Sequence, residues 1–364
     1  MRRHRPLYGS STSLILTGGG TGGHVVPAIE IAKAHRKMST GSLLYVGSPG
    51  SLEEKLSREA KIPFEAVPSG GFVGKSLPEK GKALATMLKG IGAALGILRR
   101  ERPDLVIGTG GYVQIPVVAS ALLLRIPVVL LEPNQVMGLA NRLFQPWVAF
   151  VVRPDENGKG GGIPISSEVR GPVPERDRFE REVLSVMILG GSQGARALNE
   201  KIPDILRQVT ASRRDRKVEI IHQSGERWKE STINRYRDLG MTVKVEGFLP
   251  GLSARFREQA LIVARAGAMT VAEISASGTP AIYIPFPFSA GGHQEMNAKA
   301  MEAKGAGWCW SETSLDDVGS RANELSQVLY DPERLYSAAG RAWKCSEAVS
   351  AEIWLKSLGE AGNE

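Results

Sequence analysis

The stretch Leu14-Ile15-Leu16-Thr17-Gly18-Gly19-Gly20-Thr21-Gly22-Gly23-His24 runs from an apolar core directly into a glycine loop and then into residues of helical period. A short apolar run closed by glycine and followed by a helix is the joint of a parallel βαβ unit. The second half opens the same way, with Met187-Ile188-Leu189-Gly190-Gly191-Ser192-Gln193-Gly194-Ala195. At 364 residues the chain exceeds one ordinary domain of roughly 100 to 200 residues. The expectation is therefore α/β: two Rossmann-like, doubly wound domains facing a cleft, with ligands at the carboxyl ends of the strands.

Working outward, strands are expected at 14–16, 43–46, 64–67, 105–107, 128–131 and 150–152, then at 186–189, 219–222, 243–245, 261–264 and 281–284. The first domain spans 13–158 after a basic tail at 1–12. A stretch at 159–182, rich in Gly and Pro, reads as a linker. The second domain spans 183–345, and a terminal helix at 346–364 is expected to pack back on the first.

Composition narrows the class. With 42% hydrophobic and 23% charged residues, the chain is globular. Apolar runs such as 117–124 and 127–131 are broken by Arg125, and no secretory leader is expected from the basic start. Two cysteines, Cys309 and Cys345, fit a reducing compartment, so a cytoplasmic protein is expected. The net charge of +8 lies wholly in residues 1–180, with 23 Lys/Arg against 15 Asp/Glu, while 181–364 balance at 23 against 23. The first half alone is built for an anionic surface. It lacks a nucleic-acid reading motif and aromatic interleaving, so no nucleic-acid partner is expected.

The loops carry the chemistry. Gly18, Gly20 and Gly23 spell G-x-G-x-x-G, but the second strand ends Tyr45-Val46-Gly47-Ser48 without the acid that grips a dinucleotide ribose. The loop instead offers backbone N–H groups at a helix N-terminus, with His24 placed to accept a proton. A second cluster, Gly108-Thr109-Gly110-Gly111-Tyr112, implies a shared pocket. Gly190-Gly191-Ser192-Gln193-Gly194 also spells a nucleophile elbow; phosphate held by Ser192 and adjacent N–H groups explains it better than a hydrolase triad drawing on His222 or His293. In Ala268-Met269-Thr270-Val271-Ala272-Glu273, Glu273 can bridge two vicinal hydroxyls. Gln294 can donate and accept toward a sugar. No P-loop, H-E-x-x-H or D-x-D sequence is present, so hydrogen bonds and helix dipoles, with no obligatory metal or other cofactor, are expected to carry nucleotide-sugar chemistry.

Gly19–Ala28, Gly110-Gly111-Tyr112-Val113, Gly138-Leu139-Ala140-Asn141-Arg142, Gly190–Ala195 and Gly267–Ile274, in this order, resemble the MurG family of bacterial glycosyltransferases over roughly residues 13 to 355. The resemblance implies a GT-B enzyme. It would move N-acetylglucosamine, with inversion, from UDP-GlcNAc to the muramoyl sugar of undecaprenyl-diphosphate-linked lipid I, forming lipid II at the cytoplasmic membrane face. It makes His24 the candidate base. Thr21, Gly22 and Gly23 would line the cleft on the donor side, with Asn134 at the donor sugar and Ser192 at a UDP phosphate. Leu249 would meet uracil, Ala268 to Ala272 would complete the donor site, Glu273 would take the ribose hydroxyls, and Gln294 the GlcNAc hydroxyls. Gly20, Gly111, Tyr112 and Glu132 would form the acceptor side.

The chain departs from the family where Leu131-Glu132-Pro133-Asn134 replaces His-Glu-Gln-Asn and where Pro174 replaces an arginine, with Arg176 two residues on. A GT-B enzyme with another donor or acceptor, and a non-catalytic protein that binds the lipid-linked precursor, remain alternatives. The basic, amphipathic segment from Lys75 to Arg102 can rest on anionic headgroups, which makes the expected location peripheral on the inner face of the membrane.

Overall fold

The computed structural model describes residues 6–70, 77–134, 136–153, 162–191, 193–212, 216–249 and 251–361. The chain divides into two compact units, Met1–Ser167 with Val349–Glu364, and Glu168–Ala348.

The first unit contains β1 (Leu14–Thr17), α1 (Gly22–Met38), β2 (Leu43–Gly47), α2 (Leu52–Glu59), β3 (Phe64–Ala66), α3 (Leu77–Glu101), β4 (Leu105–Gly108), α4 (Gln114–Leu123), β5 (Val128–Leu131), α5 (Leu139–Phe144), β6 (Phe150–Val152) and β7 (Ile163–Ile165). Its six-stranded parallel sheet has the order β3-β2-β1-β4-β5-β6. Leu14 pairs with Leu43 on one side and with Leu105 on the other. The order reverses between β1 and β4, which opens a crevice at their carboxyl ends. Leu14, Ile15 and Leu16 are fully buried, as expected where helices cover both faces of a parallel sheet.

The second unit repeats the plan. It contains α6 (Asp177–Glu180), β8 (Val183–Leu189), α7 (Arg196–Ser212), β9 (Lys217–Gln223), α8 (Lys229–Asp238), β10 (Lys244–Glu246), β11 (Leu261–Ala264), α9 (Ala268–Ala276), β12 (Ala281–Tyr283), α10 (His293–Ala303), β13 (Gly307–Cys309), α11 (Val318–Leu329) and α12 (Pro332–Lys344). The sheet order is β10-β9-β8-β11-β12-β13, again parallel and again reversing beside the strand that opens the unit. Helix starts follow capping chemistry: Asp331 accepts from Arg334 N–H ahead of Pro332, and Asp317 accepts from Ser320 N–H.

Two segments differ from the sequence reading, and to the terminal helix the structure adds a strand. The stretch expected as a linker carries β7 and α6 among its described residues, because Ile163, Ile165, Val169 and Phe179 are buried and must pack. The described part of the expected tail is anchored: Tyr8 is buried, its hydroxyl 3.0 Å from His35 Nδ1, while residues 1–5 lie outside the described residues. Chain after 348 forms β14 (Ala348–Ser350), which pairs with β7, and α13 (Ala351–Ala361), which packs on α1 and buries Trp354, Leu355 and Leu358 in the first unit's core.

Among the described residues, one helix long and apolar enough to weigh as a span is α3. Its Gly81–Glu101 portion is long and apolar enough, by length and composition, to cross a membrane, with 33% of the apolar window buried in the protein. Glycines and alanines between its leucines carry the hydropathy past Lys82 and Lys89. Ala83, Met87, Ala94, Ile97 and Leu98 are buried, and Ser120 of α4 donates to Ile91 O at 3.1 Å. Leu84 and Leu88 point away, 53% and 61% exposed. Lys75 of the amphipathic segment lies outside the described residues.

Candidate active site

In the first unit the two glycine loops lock onto each other at the crevice. Thr109 N–H donates to Thr17 O at 2.8 Å, and Gly19 N–H donates to Gly110 O at 3.2 Å. A Cβ on Gly111 would meet Gly19 O at 2.3 Å, so only glycine permits this approach. Beneath the first loop lies Glu53, fully buried at the start of α2, accepting from Ser48 N–H at 3.2 Å and Gly20 N–H at 3.4 Å.

His24 occupies the first turn of α1, half-buried, and is held by the other loop. Its Nδ1 lies 2.9 Å from Thr109 O, and Thr109 Oγ1 donates to His24 O at 2.7 Å. A carbonyl can only accept, so Nδ1 carries a hydrogen, and in the neutral ring Nε2 is then the acceptor. That is the tautomer a general base needs. Thr21 N-caps the helix; Gly20 and Thr21 are exposed, and Gly22, Gly23, Gly111 and Tyr112 are half-buried around the same mouth.

Glu132 behaves differently from the expected acceptor contact. It is 1% exposed, and its carboxylate accepts from Asn134 N–H and Nδ2 at 3.1 and 3.0 Å, Gly138 N–H at 2.7 Å and Asn141 Nδ2 at 3.0 Å. The side chain is spent on shaping the loop that presents Asn134. An acid after an entirely apolar strand, Val128–Leu131, was the available signal for such a buried organiser.

In the second unit, α9 starts at the end of β11 with Gly267 as N-cap. Its first N–H groups have no intrahelical acceptor, the arrangement that favours an anion. Met269 and Ala272 turn their side chains into the core, so only their backbone can meet a ligand; Thr270, Val271 and Glu273 are half-buried, and Ala268 is 9% exposed. Asn297 Nδ2 donates to Ala266 O at 3.0 Å and fixes the loop from behind. Arg265, absent from the sequence reading as a structural element, donates to Ile284 O and Pro285 O at 3.1 and 3.2 Å and pairs with Glu312, which sets the loop after β12. Gln294 Oε1 accepts from Phe286 N–H at 3.0 Å, so the oxygen is engaged within the loop after β12.

Leu249 N–H is turned inward, donating to buried Gln223 Oε1 at 3.2 Å, so the N–H is not a free backbone donor for a base. Ser192 lies outside the described residues. Arg176 pairs with Glu180 at 2.7 Å and with Glu333 of α12, so both of its attachments are on this outer helix pair. His222 cannot serve a hydrolase triad. It is fully buried between Tyr236 Oη at 2.9 Å and Asn199 Oδ1 at 3.0 Å, and burial pulls its pKa down to about 3.

Residues 14–152 match the glycosyltransferase family 28 N-terminal domain, and residues 185–351 match the glycosyltransferase family 28 C-terminal domain. A UDP-N-acetylglucosamine–N-acetylmuramyl-(pentapeptide) pyrophosphoryl-undecaprenol N-acetylglucosamine transferase of Thermodesulfovibrio yellowstonii is 35% identical over 337 residues, covering 88% of this chain and 90% of the relative. One of the same name from Pseudomonas fluorescens is 33% identical, covering 91% and 93%. The crystal structure of Acinetobacter baumannii MurG superposes with a TM-score of 0.76 at 28% identity, covering 95% of this chain and 98% of that one. With both sheets, both glycine-loop units and nearly the full length in agreement, the chain is a glycosyltransferase of family 28 and belongs to its MurG family.

Proposed function

We propose that this chain transfers N-acetylglucosamine from UDP-GlcNAc to the muramoyl sugar of a polyprenyl-diphosphate-linked peptide acceptor, with inversion. The observation that supports it most is the near full-length likeness to relatives named for that reaction, at 33–35% identity. In this reading the second unit holds the donor. The N-terminus of α9 faces the diphosphate, Glu273 accepts from the ribose hydroxyls, and Gln294 donates to the sugar. The first unit holds the acceptor, whose hydroxyl loses its proton to His24 Nε2 as its oxygen bonds to the anomeric carbon. The bond from that carbon to the UDP oxygen breaks, and UDP departs with the electron pair. Helix N–H groups stabilise the charge growing on the leaving diphosphate, so no protein-held metal is required.

The same reading places the protein peripherally on the cytoplasmic membrane face. Its support is the outer side of α3, where Leu84 and Leu88 are exposed beside Lys82 and Lys89. Apolar insertion with basic flanks suits an anionic leaflet.

The test is transfer of radiolabelled GlcNAc from its UDP donor to a short-chain lipid I analogue, with and without EDTA. Transfer that persists in EDTA is the expected result. Saturable UDP binding with no transfer to any lipid-linked acceptor would overturn the reading in favour of a precursor-binding protein. Pro174, standing where the family has arginine, makes that second outcome worth measuring.

A further inference from the structure

His24 sits at the end of an unbroken line of amide groups. Its Nδ1–H donates to Thr109 O at 2.9 Å. The N–H of the same peptide group, on Gly110, donates to Gln114 Oε1 at 2.9 Å. Gln114 Nε2 donates to Asn141 Oδ1 at 2.6 Å, and Asn141 Nδ2 donates to Glu132 Oε2 at 3.0 Å. Thr109, Gln114, Asn141 and Glu132 are 0%, 0%, 2% and 1% exposed, so solvent does not interrupt the line.

The direction of every bond is dictated from its ends. A backbone N–H on Gly110 can only donate, which makes the facing atom of Gln114 its oxygen and turns its nitrogen to Asn141. Glu132 receives N–H groups on both oxygens, the chemistry of an ionised carboxylate, which makes the facing atom of Asn141 its nitrogen. The second hydrogen of that nitrogen goes to Leu131 O at 3.1 Å. Three amides therefore align between a buried negative charge and the imidazole, each polarising the next.

We propose that Glu132, Asn141 and Gln114 are positioning residues that act on His24 through the Thr109–Gly110 peptide, holding the imidazole as the Nδ1–H tautomer with Nε2 as proton acceptor. This rests on His24 as the base of the proposed transfer and deepens it. Where many histidine bases lean directly on a carboxylate, this one reaches its carboxylate through three amides. The relay draws electron density toward the ring and raises its basicity. Of the titratable groups by the two loops, Glu53 under the first accepts from Ser48 and Gly20 N–H, and Tyr112 stands on the second.

The experiment uses the full chain with ¹⁵N-labelled histidine. Five histidines give five ring systems, and the His24 signals are those lost in His24→Asn. In the wild type, His24 Nε2 is expected to resonate as an unprotonated, pyridine-type nitrogen. In Gln114→Leu and in Glu132→Gln, its titration midpoint should fall by roughly half a pH unit and the two tautomers should mix. Either variant suffices if the other fails to fold. A His24 ring that is Nε2–H in the wild type, or one whose tautomer and midpoint are unmoved in a folded variant, overturns the relay. The pH profile of kcat/KM separates this from the underlying reading. An acid limb that survives in His24→Asn removes His24 as the base, whatever the spectra say of the relay.

Discussion

Gly18 and Thr109 compete for one volume: a Cβ on Gly18 would lie 2.1 Å from Thr109 Oγ1. Since that hydroxyl also holds His24 O, the absent side chain at position 18 is a condition for the position of the histidine. The same holds at Gly110, where a Cβ would meet His24 Nδ1 at 2.4 Å.

Gly18→Ala is expected to destabilise the first unit by about 3 kcal/mol or more, through steric displacement and a φ of +150°. Gly20→Ala makes the contrast. Its φ is +85° but nothing lies within 4 Å of the new Cβ, so only backbone strain of about 1 kcal/mol is expected. Thermal melts of the two variants should rank in that order, and equal losses would refute the packing argument.

Glu273→Ala should weaken UDP binding. Two hydrogen bonds from hydroxyls to a charged acceptor are worth about 1.5 to 3 kcal/mol each, not additively, so roughly a hundredfold loss is expected. Titration calorimetry with UDP alone measures it. Unchanged affinity would mean that Glu273 does not touch the ribose.

Acid should unfold the second unit partly through His222. Burial holds its pKa at about 3 in the fold against 6.5 when free, so the stability gained by keeping it neutral is full above 6.5 and is lost as pH falls toward 3. By about pH 5 the loss is roughly 2 kcal/mol, some 5 °C in melting temperature for a unit of this size. His35 shifts the same way, so the comparison is with His222→Gln, whose melting temperature should fall less between neutral pH and about pH 5. Parallel curves would count against a neutral buried His222.

Leu84→Ser with Leu88→Ser should release the protein from vesicles containing anionic lipid. Two exposed leucines each contribute on the order of 1 to 2 kcal/mol of insertion, so the partition constant should drop at least tenfold. Transfer to a short-chain, water-soluble acceptor should be retained. Vesicle sedimentation reads the first quantity, and binding that is indifferent to the double variant would move the membrane contact elsewhere.

The strands of both sheets were legible because fully buried parallel strands are written as unbroken apolar runs; Val128–Leu131 and Leu261–Ala264 match to the residue. Gly307–Cys309 was not, since three residues containing a glycine at a sheet edge carry neither period nor apolar length. Ile163–Ile165 was hidden by Pro164 and by the glycines before it. The glycine loops were legible as loops, but their mutual contact was not, because it depends on strand order. Glu132 was seen as a ligand contact because sequence does not reveal burial of a single acid. Gln114 gave no signal: a lone glutamine opening an apolar helix looks like an exposed end, and its partners lie 4 and 27 residues away.

The return of the chain to its first unit after residue 348 has a consequence for biosynthesis. Translation completes all of the second unit before the residues that supply Trp354, Leu355 and Leu358 exist, so the earlier unit must wait, with the face of α1 that receives α13 uncovered. The later-made unit, drawn wholly from Glu168–Ala348, can close at once. A chain stopped or clipped before Ala351 would lack these three side chains and leave the face of α1 that receives α13 uncovered in the unit made first.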